Sequence, residues 1–402
     1  MDKIIIQNLY KIFGPDPDKA IKALQNGDTK QDIHEKTGMT VGVDNANFTI
    51  QEGEIFVVMG LSGSGKSTLV RMLNRLIEPS SGKILINGQD ITRMTHDNLV
   101  QFRLKNMSMV FQSFALMPHL TVLENAAFGL ALAGESKGKR EERARDALSQ
   151  VGLQGWEGHY PKQLSGGMQQ RVGLARGLAV DPDIILMDEA FSALDPLIRT
   201  EMQDELLTLQ ENSDRTIVFI SHDLDEALRI GDRIAIMEGG RVVQVGTPEE
   251  ILQNPADDYV RAFFRGVDPT NVISAGEIVT NTHPTIVKTR KGGIRATLEL
   301  LNAKDFNHGY VLNSRHQFLG IVSVDSLQQA VEDNRTGEPI DTCFLPDVHT
   351  AMTHDNMQDI LPEVASRPWP VPVVDENNIF RGVVSKNRFL KTLHKSEKHL
   401  PV

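Results

Sequence analysis

The run Gly60-Leu61-Ser62-Gly63-Ser64-Gly65-Lys66-Ser67 has the residue types and spacing of a phosphate cradle, four residues between two glycines and then Lys-Ser. Glycines let successive backbone N–H groups turn toward a single anion. Lys66 is spaced to reach β- and γ-phosphates, and the Ser67 hydroxyl to bind Mg²⁺; Thr68 continues the set. A second group is the apolar run Ile184–Met187, closed by Asp188 and Glu189. Behind a phosphate cradle, Asp188 suits Mg²⁺ coordination, and Glu189 suits a general base that polarises an attacking water. Together these residues predict hydrolysis of a nucleoside triphosphate with Mg²⁺.

Such groups work only where secondary structure aims them. Ile55–Met59 reads as a strand that delivers the cradle. A helix is expected to follow it, with Leu69, Met72, Leu73 and Leu76 on one face and a partial positive charge at its start. Ile184–Met187 and Ile217–Ile220 read as further strands buried on both faces. Residues 1–265 therefore predict an α/β P-loop domain around a mostly parallel sheet. The polar segment at about 15–40 interrupts it and reads as an insertion of two short helices joined at Asn26-Gly27-Asp28.

Composition narrows the possibilities. The chain has 402 residues, 40% hydrophobic and 24% charged, with a net charge of −11. That length suggests more than one domain, and the acidity argues against a nucleic-acid partner. Residues 1–266 hold 28 Lys and Arg against 37 Asp and Glu, and residues 267–402 hold 14 against 16, so the acidity sits in the first part. The one cysteine, Cys343, cannot build a disulfide or a cysteine zinc site within the chain, which fits a reducing compartment. The run Ile4–Ile6 is too short for a signal peptide, and no stretch approaches the ~20 apolar residues of a membrane span. Any membrane role is expected to be peripheral.

The second part, 266–402, repeats internally. Tyr310-Val-Leu, Phe318-Leu-Gly320 and Leu327 form one copy; Val371-Pro-Val-Val, Phe380-Arg-Gly382 and Phe389 form the other. The copies, about 270–332 and 340–395, each read strand, turn, strand, helix, and suit two small paired modules of α+β type. The basic residues Lys288, Arg290, Lys291 and Arg295 read as a solvated face.

Further motifs carry a resemblance. Leu164-Ser165-Gly166-Gly167-Met168, Gln112 within Val110–Phe114, Ser192-Ala-Leu-Asp195 and Ser221-His222-Asp223 follow in the order found in the nucleotide-binding domains of ATP-binding-cassette (ABC) transporters, which this chain resembles. The resemblance implies that Leu164–Met168 face the γ-phosphate held by another subunit, so that ATP bridges a head-to-tail homodimer. It implies that Asp195 belongs to the D-loop, that His222 contacts the γ-phosphate or aligns Glu189 with water, and that Gln112 senses Mg²⁺ and water. Phe111–Leu123 would touch the membrane subunits. Phe13 aligns with the aromatic that stacks on adenine, although the insertion breaks its usual spacing to the cradle and Tyr10 is a rival.

The stretches Arg71–Pro79, Phe111–His119 and Asp188–Arg199 resemble the ATPases of glycine betaine/proline betaine importers, as do the insertion and the tandem repeat. The repeat is similar to a pair of cystathionine-β-synthase (CBS) modules. The resemblance implies two transmembrane permease subunits, a periplasmic or extracellular substrate-binding protein, and a place on the cytoplasmic face of a bacterial membrane. Adenosine-binding CBS pairs commonly place an acidic residue three positions after the Ser or Thr of the GxxS turn; here Ser326 and Arg388 stand there.

Overall fold

The structure, a computed structural model, describes residues 1–398 apart from 113–114, 193, 212, 265–269, 271 and 289–292. Arg290 and Lys291 thus lie outside the described residues, as do parts of the Val110–Phe114 and Ser192–Asp195 motifs. The chain divides into two compact units, Met1–Phe263 and Phe264–Val402.

The strands of the first unit are β1 (Asp2–Phe13), β2 (Thr40–Gln51), β3 (Ile55–Met59), β4 (Ser81–Ile86), β5 (Gln89–Asp90), β6 (Met107–Phe111), β7 (Ile184–Asp188), β8 (Thr216–Ile220), β9 (Arg233–Glu238) and β10 (Arg241–Gly246). One sheet, ordered β2-β1-β4-β5, is antiparallel. The other, ordered β10-β9-β3-β8-β7-β6, is parallel except for its β9–β10 edge. Every residue of β3, β7 and β8 is buried, as expected of apolar strands covered on both faces.

The helix after the cradle, α3 once α1 (Pro17–Gln25) and α2 (Lys30–Thr37) are counted, spans Lys66–Leu73. Its Leu69, Val70, Met72 and Leu73 share one core with Ile4 and Ile6 of β1 and with Leu186 and Val218 of the parallel sheet. The two sheets thus close over α3. The helix stops sooner than its periodicity suggests. Asn74 caps it, Arg75 turns left-handed at φ 54°, and Leu76 is 53% exposed rather than on the buried face.

The insertion folds as two helices with a core of its own. Ala20, Ile21, Leu24 and Ile33 pack on Tyr10, Ile12, Met39 and Val41 of the β1–β2 pair and its approach. Because Phe13 pairs with Thr40 in the ladder, the chain leaves the sheet and returns to the same place.

The second unit holds two three-stranded sheets. One is built from Thr285–Val287, His308–Leu312 and Phe318–Ser323, the other from Ala351–Met352, Val371–Val374 and Phe380–Val384. The N–H of Phe318 donates to Asn378 O and that of Phe380 to His316 O, at 3.0 and 2.9 Å. These partners exchange under the same 62-residue offset that relates Gly320 to Gly382, so the repeats are related by an approximate twofold. Each copy also carries an initial strand and then a helix, Ile294–Ala303 or Met357–Ser366, ahead of the strand, turn, strand and helix expected. The Ser326 hydroxyl bonds Ser323 and the Arg388 guanidinium bonds Ile278 O, so both residues serve local structure.

Ile33 is fully enclosed in the insertion core. Ile33→Ala is expected to lower stability by about 2–5 kcal/mol. Denaturant unfolding of the whole chain checks this, and a loss under about 1 kcal/mol would mean that the insertion is only loosely seated.

Candidate functional site

The cradle begins where β3 runs out. Gly65 (φ 104°) caps α3 without a side-chain bond, so the first N–H groups of the helix remain free to face an anion. A Cβ on Gly65 would lie 2.2 Å from the carbonyl oxygen of Gly42, so only glycine lets the loop approach β2 this closely. Gly63, Gly65, Lys66, Ser67 and Thr68, with Ser62 beside them, line a cavity of about 380 Å³ that also takes in Phe13, Lys30, Thr40 and Glu189. Ser64 is buried beneath the loop, and Leu61 points outward.

Lys66 is 5% exposed, and its ammonium donates to the carbonyls of Gly60 and Leu61 at 2.8 and 3.1 Å. Burial lowers its pKa, while the nearby carboxylates of Glu189 and Asp188 pull the other way. A desolvated cation of this kind gains from an arriving phosphate. The Ser67 hydroxyl donates to Asp188 Oδ1 at 2.9 Å. Arg71 holds the other oxygen, Oδ2, through Nε at 3.0 Å and a second nitrogen at 2.9 Å. One carboxylate therefore shows one oxygen to Ser67 and gives the other to a guanidinium fork.

Glu189 stands next in sequence, held left-handed at φ 48°, which turns it away from the strand direction. Gln112 Nε2 donates to its Oε2 at 3.2 Å and to Ser192 Oγ at 3.1 Å. His222, 59% exposed at its side chain, brings Nδ1 to 3.9 Å from the same Oε2, beyond direct bonding range and within reach through one water. Three segments distant in sequence thus converge on one carboxylate.

The Gly166–Ala179 helix begins with Ser165 as its cap, the hydroxyl accepting from Met168 N–H at 3.3 Å. A Cβ at Gly167 would lie 2.6 Å from Ile198 Cγ2, which is why this position must be small. Leu164 is buried. None of Leu164–Met168 lines the cavity of its own chain. Asp195 caps the Pro196–Glu211 helix through Ile198 N–H at 3.1 Å. One turn on, Arg199 bonds Asp223 at 3.1 Å and Gln203 bonds Glu226 at 3.1 Å. The Asp195 helix is thereby fastened to the loop that carries His222. Burial raises the Glu226 pKa, and its partners Ser221 and Gln203 satisfy it.

Phe13 is 44% exposed on the cavity with Lys11 over its ring, whereas Tyr10 is 6% exposed and belongs to the insertion core. The insertion separates Phe13 from the cradle in sequence only. Arg71 and Lys30 went unread as site residues in the sequence. The first is one turn past Ser67 on α3, a signal that helical spacing carries; the second has no local signal at all.

Residues 43–192 match the family described as ABC transporter. The chain is 54% identical over 392 residues, 97% of both chains, to the glycine betaine/proline betaine transport system ATP-binding protein ProV of Salmonella typhimurium. It is 49% identical over 391 residues, 97% of this chain and 92% of the other, to the glycine betaine transport ATP-binding protein OpuAA of Bacillus subtilis. Among solved structures, a dimeric post-hydrolysis state of the ATP-binding cassette MJ0796 bound to ADP and Pi is similar, with TM-score 0.52 and 31% identity, covering 61% of this chain and 98% of that one.

Glu189→Gln keeps shape and removes the carboxylate. Nucleotide binding is expected to persist while ATP hydrolysis falls by ~10²-fold or more. Parallel binding and phosphate-release assays check this; turnover near that of the unaltered protein would take the base role from Glu189.

Proposed function

This chain belongs to the ABC transporter family, among the ATP-binding proteins of glycine betaine transport systems, and on that premise we propose that it hydrolyses ATP to power uptake of glycine betaine and proline betaine through separate transmembrane subunits. What carries the reading is one site in which Ser67 and Asp188 stand beside Gln112, Glu189 and His222, in a chain 54% identical to a betaine-transport protein along nearly its whole length.

Lys66 and the free N–H groups of α3 bind the phosphates, and Phe13 stacks on adenine. Ser67, Asp188 and Gln112 would hold the Mg²⁺ that accompanies ATP; their hydroxyl, carboxylate and amide oxygens are the hard donors that ion takes. Among the described residues no cluster of three or more His, Cys, Asp or Glu could hold a metal, and a Mg²⁺ that keeps waters and phosphates as ligands needs no such cage. When bound, it neutralises phosphate charge. Glu189 accepts a proton from the water as its oxygen bonds the γ-phosphorus and the bond to the bridging oxygen breaks. Gln112 and His222 hold the carboxylate and the water in line.

Two copies work as a dimer. The Ser165–Met168 helix start of one faces the γ-phosphate on Lys66 of the other, which accounts for its absence from the cavity of its own chain. Among the described residues no helix is long and apolar enough to cross a membrane, and the protein acts at the cytoplasmic face of the bacterial plasma membrane. Phe111–Leu123 meets the permease pair, and an external binding protein delivers substrate. Residues 266–402 are a tandem CBS module that joins or regulates the subunits.

Co-expression with a betaine permease and its binding protein should give ATP-dependent glycine betaine uptake into vesicles, abolished by Lys66→Ala. Uptake of methionine but not betaine through its own permease would transfer the protein to another importer class. Mixing Lys66→Ala subunits with Ser165→Arg subunits should return part of the hydrolysis that each has lost. Full hydrolysis by isolated monomers would refute the shared site.

A further inference from the structure

The insertion contributes to the cavity. Lys30 is the first residue of α2, and its Nζ donates to Gly63 O, in the middle of the cradle, at 3.1 Å. It lines the same cavity as Phe13, Lys66, Ser67 and Thr68. Its position is built. Thr29 and Asp32 close a capping box around the start of α2, Lys36 pairs with Asp28 at 2.8 Å, and Ile33 anchors the helix in the insertion core. Phe13 and Thr40 are already paired in the β1–β2 ladder, so a short turn could join those strands. The longer connection adds a lysine where anionic phosphates arrive.

We propose that Lys30 is a second nucleotide-binding lysine, carried by the insertion, that leaves Gly63 O for a phosphate oxygen of ATP. This rests on the reading of the cavity as the ATP site. A carbonyl is a neutral acceptor, whereas a phosphate oxygen gives the ammonium a charge-assisted bond. The cavity lining holds two lysines against Glu189, so Lys30 is half of the positive charge that lines it. Because Lys30 is partly exposed, its effect should be moderate and screened by salt.

The test measures ATP and ADP affinity and steady-state hydrolysis on the full chain for Lys30→Ala, Lys30→Arg and Lys66→Ala. Lys30→Ala should weaken both nucleotides about fivefold, the upper range for an exposed ion pair. The loss should appear in KM more than in kcat, the salt dependence of binding should flatten, and Lys30→Arg should restore most of the affinity. Unchanged affinity in Lys30→Ala, with binding lost in Lys66→Ala, overturns the role of Lys30 and leaves the cavity reading intact. Unchanged affinity in both overturns the cavity reading itself. Loss in both Lys30 variants together with a lower unfolding temperature makes Lys30 a structural residue and sinks the proposal.

Discussion

Asp188 fastens the end of β7 to the first turn of α3, and the geometry of the site follows from that one carboxylate. Its two oxygens are divided between the Ser67 hydroxyl and the Arg71 fork. The cradle and the carboxylate come from strands separated by β8 alone, so the parallel sheet sets their spacing and the side chains fix the remainder. Both lie at the carboxyl ends of parallel strands, where open α/β sheets bind ligands. A guanidinium on Oδ2 leaves Oδ1 as the oxygen available to an ion beside Ser67. Arginine suits that task because its fork is planar and always charged.

A second layer of contacts lies behind the site. Arg199 and Gln203 of the Asp195 helix grip Asp223 and Glu226, on either side of the His222 loop. Two side-chain bonds, one of them buried, thus join the Asp195 helix to the segment that carries His222. Meanwhile Lys66 rests on two carbonyls of its own loop. The ammonium is thus satisfied within its own loop, while the first N–H groups of α3 are left free.

Much of this was legible in the sequence because it is local. The cradle, the apolar strands and the carboxylates at the end of β7 lie within short windows, and binary patterning exposes them. The helix after the cradle was overextended to Leu76 because periodicity reports a face and not a stop; the stop comes from Arg75 in a left-handed turn. The partnership of Arg71 with Asp188 spans more than a hundred residues and has no pattern at all. Lys30 was illegible for a related reason. It sits in a segment whose polarity marks it as an excursion, and only the pairing of Phe13 with Thr40 shows that the excursion ends where it began, over the cavity.

Glu189 adds a consequence for how such a chain evolves. A glutamate held at φ 48° sits in a region that costs an L-residue about 1–2 kcal/mol. Glycine there would relax the backbone while removing the carboxylate that Gln112 holds. Drift that rewards only stability therefore runs against function at this position. A lineage released from the need to hydrolyse ATP would be expected to lose this carboxylate early, while the cradle glycines, whose loss strains the fold itself, would persist and leave a motif that outlives its chemistry.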